Sequence, residues 1–480
     1  MRKQTTIITT SLFLLTIPVA VLAESFTLHQ TLKRVVETYP SVEIARMQVT
    51  RAQQETVKAR SMLGWNLGGQ AGASHDISAF TGTPSDSANL SANLTRPLAS
   101  GGSIGIGGSY NYEDSSFTFG TTFPNPSHFT RVDANYRMPL GQGAGNPQYN
   151  EGLKSAEASV RIAQASQFLV RDQLASQTME LFYGAAATKV QIKSAQDAID
   201  RARRLKKYIR DNARLGLTEE KDLLQADAQL QARIADYDAL MVAWEQQRTA
   251  INRLLNRPRA AKFDPVIHER NEFTVDSATL LEEAKTYSPA LKQQQAQVKI
   301  AESQIATSKD ASRSTVDLVF GVGYGNKQGP ATSPNPYVNE SDYAASVRLE
   351  FTRSMDRSGL DAAVTQAQID RSIALREIQR IKDDLEYNVN GLAAEINNSE
   401  TALASHRRHV SVEQAKLNEA MRRYRTGRAD TTQLIQFENE LQLGKLALEQ
   451  QRIEFARRYS SLELLRGTLF NPAENGQGEE

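Results

Sequence analysis

His406 and His409 lie three residues apart in a stretch that reads as helix. That spacing puts both imidazoles on one side, as a metal site on a helix requires. No third ligand accompanies them, and Arg407 and Arg408 repel a cation, so the pair is not read as a metal centre. The stretch GQGAGN, from Gly141 to Asn146, follows a strand pattern and precedes a helix pattern. A glycine-rich loop in that setting can cradle the phosphates of a dinucleotide. Here Asn146 takes the place of the last glycine and Pro147 follows it, so the stretch reads as a flexible strand-to-helix junction. Cysteine is absent from all 480 residues, which removes thiolate ligands, cysteine nucleophiles, disulfides and an N-terminal lipid on cysteine. There is no nucleophile elbow, phosphate loop or carboxylate pair that calls for catalysis. The chain is not read as an enzyme, and no cofactor is called for.

The ends and the charge say where such a chain works. Arg2 and Lys3 precede an apolar run from Ile7 to Leu22, and Val21-Leu22-Ala23 has the small-residue form of a cleavage site before Glu24. Residues 1–23 therefore read as a signal peptide. Thr9, Thr10, Ser11 and Pro18 interrupt the run and argue against an anchor. Of the 56 basic residues the leader takes two, leaving 54 against 55 acidic ones. A near-neutral chain has no general attraction to nucleic acid or anionic lipid. Beyond the leader no run of about 18 apolar residues remains to form a membrane helix. An exported chain without cysteine points to the bacterial periplasm or outer membrane.

Positioning elements come from a pattern met twice. RLGLTEEKDLLQADAQL starts at Arg214 and RTGRADTTQLIQFENEL at Arg425, 211 residues later. Phe26-Thr27 returns as Phe273-Thr274, and Thr38-Tyr39 as Thr286-Tyr287. FPNPS at Phe123 returns as SPNPY at Ser333. The common order of these matches indicates an internal duplication, with extra residues in the first copy between Ser61 and Pro124. The expected division is a signal peptide 1–23, a first repeat 24–263, a second repeat 264–470 and a flexible tail 471–480. Helix patterns cover 28–62 with a bend at Pro40, 147–214 and 218–256. In the second half they cover 274–311 with a bend at Pro289, 357–425 and 430–467. At 1.5 Å per residue the longest would span ~100 Å, and such lengths suggest a long bundle. Ile369, Ile373, Ile378, Ile381 and Leu385 form a narrow apolar seam of the coiled-coil kind.

Strict alternation marks strands around Ile104–Tyr112, Val132–Met138, Val316–Tyr324 and Tyr343–Phe351, with weaker ones at 65–77 and 88–97. Each covers about nine to thirteen residues, the reach of a membrane-crossing strand. The period also fits a soluble sheet with one wet face. Trp65, Tyr110, Tyr112, Tyr136, Tyr324 and Tyr343 lie mostly near strand ends, as an interfacial aromatic girdle would. The loops between are long and rich in Pro, Gly and Ser, as external loops are. Four to six strands cannot close a barrel, which needs at least eight in bacterial outer membranes. An open edge in lipid leaves backbone groups unpaired, so several chains must build the barrel together.

Duplicated halves, strand pairs flanked by very long helices, glycine-bearing turns and YRMPLGQGAGNPQYN at Tyr136 together resemble the TolC-like outer-membrane factor (outer membrane efflux protein) family over essentially the whole mature chain. The resemblance implies a mainly α fold with membrane β. It implies a trimeric β-barrel of 4–6 strands per chain, joined to a long α-helical periplasmic barrel. It implies a homotrimer in outer-membrane lipid. This would serve as an exit duct for efflux or type I secretion, with a periplasmic adaptor (membrane fusion) protein and an inner-membrane pump or ABC transporter. The two repeated turns become periplasmic hairpin tips that meet the adaptor: Arg214, Leu215, Gly216, Leu217 and Thr218, then Thr426, Gly427 and Arg428. Asp222 matches a family position able to pair across the closed gate. Gln433 and Gln436 stand where some members carry an acidic ring, with Asp430 nearby as a substitute. This departure from the acidic pattern lowers the expected cation selectivity. The alternative is a non-conducting, exported coiled-coil scaffold.

Overall fold

Proline sets the first helix boundaries. Its ring is favourable at the first position of a helix and unfavourable inside one. Helix α1 (Leu28–Thr38) accordingly ends before α2 (Pro40–Ser61), and α5 (Ser277–Tyr287) before α6 (Pro289–Ala311). Thr27 caps α1 in a capping box, its hydroxyl accepting from the Gln30 N–H while Gln30 Oε1 accepts from the Thr27 N–H. Ser288 caps α6 by accepting from the Leu291 N–H. A computed structural model of the chain describes residues 25–77, 83–115, 124–214, 220–267, 275–331, 337–425 and 431–470. The proposed leader and tail lie outside the described residues.

Two helices reach 68 residues, α3 (Pro147–Arg214) and α7 (Ser358–Arg425), and each is followed by a shorter one, α4 (Glu220–Leu254) and α8 (Thr431–Arg466). The buried positions on α7 include Ala367, Ala374, Val389, Ile396, Leu403 and Leu417, at multiples of seven within two runs. That is the period of a narrow helix seam. The seam is not the one expected. Ile369 and Ile373 are exposed, and alanines occupy the buried line. Small side chains let helices approach closely, and the bulkier isoleucines stay on a face that the described residues leave open. The remaining expected seam residues, Ile378, Ile381 and Leu385, are only half-buried.

The described chain groups into two units, each drawing on both sequence halves. One comprises Asp172–Leu280 with the segments up to Tyr39 and from Asn390 onward. Its core holds Leu32, Val35, Phe182, Ile251, Leu255 and Leu462, all nearly inaccessible. Phe26 stacks on Phe263 at 5.5 Å and Phe182 meets Phe263 edge-on at 6.2 Å. A two-residue parallel bridge joins β1 (Ser25–Phe26) to β6 (Asp264–Pro265) beside them. The buried Tyr183 hydroxyl is satisfied by the Ala456 carbonyl and the Ser460 hydroxyl.

The other unit, Pro40–Arg171 with Leu281–Val389, holds a six-stranded sheet. Its strands are β2 (Asn66–Ile77), β3 (Pro84–Pro97), β4 (Ser103–Ser115), β5 (Ser127–Pro139), β7 (Thr315–Pro330) and β8 (Tyr337–Thr352). They pair in that order, all antiparallel. Strands β7 and β8 run to 16 residues, longer than the alternation indicated. Beyond Tyr324 and Tyr343 the ladder continues through polar pairs, including Asn326 donating to Asn339 at 2.8 Å, which carry no hydropathy signal.

The GQGAGN stretch proves pinned. The Gly143 N–H donates to the Asp310 carboxylate, Gly145 N–H to the Ser100 carbonyl, and Asn146 Nδ2 to the Leu98 carbonyl. Asn146 Oδ1 also accepts from the Tyr149 N–H, capping α3. Gly101, in the turn between β3 and β4, sits at φ +93°, where only glycine is comfortable.

Candidate membrane sheet and hairpin ends

Side chains directly opposite in a ladder share a face, and successive ones alternate. The register therefore sorts the sheet. One face carries Leu67 and Ala71 on β2, Leu90 and Leu94 on β3, and Ile104, Ile106 and Tyr110 on β4. It continues through Val132, Ala134 and Tyr136 on β5, Phe320, Val322 and Tyr324 on β7, and Tyr343, Ala345 and Val347 on β8. Leu67 is 78% exposed, Tyr343 83% and Val347 68%, so none of the described residues covers the face. A large apolar side chain left in water forgoes about 1.5–3 kcal/mol relative to burial, which makes an apolar face of this extent costly in water.

The opposite face is polar. Asn66, Gln70 and Ser74 face Thr95, Ser91 and Ser87, and then come Asn111, Asn135, Asp133 and Arg131. Arg137 on β5 joins Asp317 on β7 at 2.8 Å and Glu350 on β8 at 2.7 Å. Asp317 is nearly buried, and the guanidinium is what pairs its charge there. Glycines on β2 and β4 make room for neighbouring amides. A Cβ on Gly68 would stand 2.5 Å from Asn93 Oδ1, and one on Gly105 2.6 Å from Asn135 Oδ1. These side chains lie along the sheet over the glycines.

All five tyrosines of the expected girdle fall on the apolar face. Tyr110 Oη is 2.7 Å from His128 Nδ1, Tyr112 donates to Asp114, and Tyr136 stacks on Phe320 at 6.3 Å. Tyr324 and Tyr343 meet at 5.1 Å inside the ladder, because the strands outrun the apolar pattern. Trp65 immediately precedes β2 with the Arg96 guanidinium 5.7 Å over its ring. The sequence reading missed the charged trio Arg137, Asp317 and Glu350. Arg137 and Glu350 sit at the polar positions of the alternation, but no local signal joins them.

At the hairpin ends, Arg214 is the exposed last residue of α3. Leu215, Gly216, Leu217, Thr218, Thr426, Gly427, Arg428 and Asp430 lie outside the described residues. Asp222 sits half-buried in the first turn of α4, where a carboxylate suits the helix dipole. Gln433 and Gln436 are exposed near the start of α8, and Gln436 donates to Glu440 at 2.9 Å. Hydrogen bonds from Lys416 and then Gln436 hold the Glu440 carboxyl below the usual carboxylate range. In the first hairpin Lys206 on α3 pairs with Asp227 on α4 at 2.5 Å, and that hydrogen bond lowers the Asp227 pKa. Beside them Ile199, Ala202 and Leu230 form a small core with Ile234 and Tyr237. A cavity of about 180 Å³ near this core is lined by Arg201, Arg204, Arg233 and Glu438. Burial lowers the Arg201 pKa there, opposed by Glu438 and Asp197. His409 Nε2 lies 3.7 Å from Glu413, and no three potential ligands cluster among the described residues.

No protein-family model and no curated protein matches the sequence. Solved structures do match. The outer-membrane channel OprN aligns at 17% identity over 93% of this chain and 91% of its own, with a TM-score of 0.67. The Campylobacter jejuni CmeC outer membrane channel aligns at 12% identity over 93% and 86%, also with a TM-score of 0.67. The outer membrane protein VceC of Vibrio cholerae aligns at 14% identity over 92% and 96%, with a TM-score of 0.64. The likeness is one of fold: this chain has the fold of TolC-like outer-membrane channels.

Proposed function

We propose that the chain is a subunit of an outer-membrane channel-tunnel, an exit duct for efflux or type I secretion that makes and breaks no bond. The carrying observation is the six-stranded sheet, apolar on one exposed face, polar on the other, and unpaired along β2 and β8. An unpaired edge costs several kcal/mol per backbone group in lipid, so copies must share edges. Three copies, descended from a duplicated ancestor, close the barrel and set the polar face toward the lumen. The aromatic residues Trp65, Tyr110, Tyr112, Tyr136, Tyr324 and Tyr343 anchor the wall at the lipid interfaces. The long helices continue the duct into the periplasm, with exposed Ile369 and Ile373 available to a neighbouring copy. The two hairpin tips around Gly216 and Gly427 receive a periplasmic adaptor that links the duct to an inner-membrane transporter. Asp222, Gln433 and Gln436, with Asp430, line the closed gate, and an N-terminal signal peptide directs export.

Oligomer mass in detergent together with single-channel conductance in planar bilayers tests this reading. The expected result is a trimer with low basal conductance that rises in Asp222→Ala. A detergent-free, water-soluble monomer contradicts it.

A further inference from the structure

We propose that the hairpin of β2 and β3 is part of the barrel wall, so that three copies close an 18-stranded barrel through a seam between β2 of one copy and β8 of the next. This rests on the three-copy reading above and adds the strand count, the seam and the width. The alternative is a hairpin that stands aside, leaving a 12-stranded wall closed through β4.

Three independent features place the hairpin in the wall. First, β2 pairs with β3 along its whole length, from Asn66↔Thr95 to Ile77↔Pro84, and β3 pairs with β4 from Ser85↔Ser115 to Pro97↔Ser103. The β4 edge that a 12-stranded seam would need is therefore occupied. Second, the apolar face runs unbroken into the hairpin: Ile106 stands opposite Leu94, which stands opposite Leu67, and Tyr110 opposite Leu90, which is opposite Ala71. A hairpin standing in water would expose this stripe for nothing. Third, the turn between β3 and β4 is bolted to the strand-to-helix junction through Leu98, Ser100 and Gly101. At the same end of the hairpin, Arg96 donates to the Leu63 carbonyl and covers Trp65.

The remaining edges suit each other. Six alternating strands leave β2 and β8 running in opposite directions, so a neighbouring copy continues the antiparallel ladder without a break. Barrel diameter grows roughly linearly with strand number. Three hairpins added to 12 strands widen the wall about 1.5-fold, into the 16–18-strand class that holds an aqueous channel. The added third is lined by the uncharged hydrogen-bonding groups of Asn66, Gln70, Asn89, Ser91 and Asn93, with the Asp76 carboxylate near the turn of the hairpin, a lining suited to hydrophilic cargo.

The absence of cysteine makes the test direct. Ala71→Cys on β2 is combined in turn with Tyr343→Cys, Ala345→Cys and Val347→Cys on β8. A second set pairs the same β8 positions with Gly108→Cys on β4, where a Cβ meets the Arg131 carbonyl oxygen at an ordinary contact distance of 3.9 Å. Membranes are oxidised and the chain is run denatured and unreduced. Covalent dimers and trimers from the β2 set, absent from the β4 set, are expected. The same ladder from the β4 set overturns the proposal while leaving the trimer standing, as does a trimer by mass that neither set cross-links. A chain that is monomeric by mass overturns the three-copy reading itself.

Discussion

Gly101→Ala probes whether the β3–β4 turn is fastened to the junction before α3. At φ +93° an L-residue pays about 1–2 kcal/mol for the left-handed backbone. The new methyl would stand 1.9 Å from the Gly143 carbonyl oxygen, a backbone atom with no rotamer to swing away. The turn must shift, and it takes with it the Gly145-to-Ser100 bond at 2.9 Å and the Asn146-to-Leu98 bond at 2.8 Å. Each such bond contributes about 0.5–1.5 kcal/mol net. The expected loss is therefore roughly 2–5 kcal/mol. Gly145→Ala is the control: its φ is +77° but nothing stands within 4 Å of its Cβ, so only the backbone cost of about 1–2 kcal/mol applies. Gly152→Ala lies inside α3 in open space and should stabilise by up to about 1 kcal/mol. Urea midpoints of the purified protein in detergent, followed by circular dichroism, should rank Gly152→Ala above wild type, then Gly145→Ala, then Gly101→Ala. Equal midpoints for Gly101→Ala and Gly145→Ala would refute the fastened turn.

Adjacent residues on β8 test the two faces. Val347→Lys should cost about 2–4 kcal/mol of folding free energy in lipid, whereas Ser346→Lys on the polar face should fold almost normally; equal yields in vesicle refolding would remove the lipid-facing assignment. Asp227 has its pKa lowered by Lys206, so its contribution is complete above the ordinary carboxylate range and is lost as pH falls through the lowered value. Thermal midpoints of the helical part should thus be flat near neutrality and drop on acidification, with a shallower drop in Asp227→Asn. Gln433→Asp combined with Gln436→Asp should move the reversal potential in a salt gradient toward cation preference; an unmoved potential would place these residues away from the conducting path.

Features that depend on near neighbours in sequence were legible without the fold. The bounds 147–214 for α3 follow from a proline at the first helical position and none after it until the helix ends. The breaks at Tyr39 and Ser288 follow from Pro40 and Pro289. Alternation found the strands, because side chains on a ladder change face at every residue. Within one chain the buried helix line differs from the apolar one, since Ile369 and Ile373 carry the stronger hydropathy while Ala367 and Ala374 carry the contact. A subunit with a second, uncovered face shows both patterns at once.

Tertiary structure alone decided the rest. It extended β7 and β8 through polar pairs, put the first-half hairpin in the same sheet, and pinned a glycine stretch that looked free. It also brought Arg137 to Asp317 and Glu350, 180 and 213 residues away. Helix bounds and strand periods are set by local sterics and hydropathy, which the chain carries residue by residue. Strand order, register and the two open edges are set by backbone hydrogen bonds between distant segments, and no stretch of sequence records its own partner.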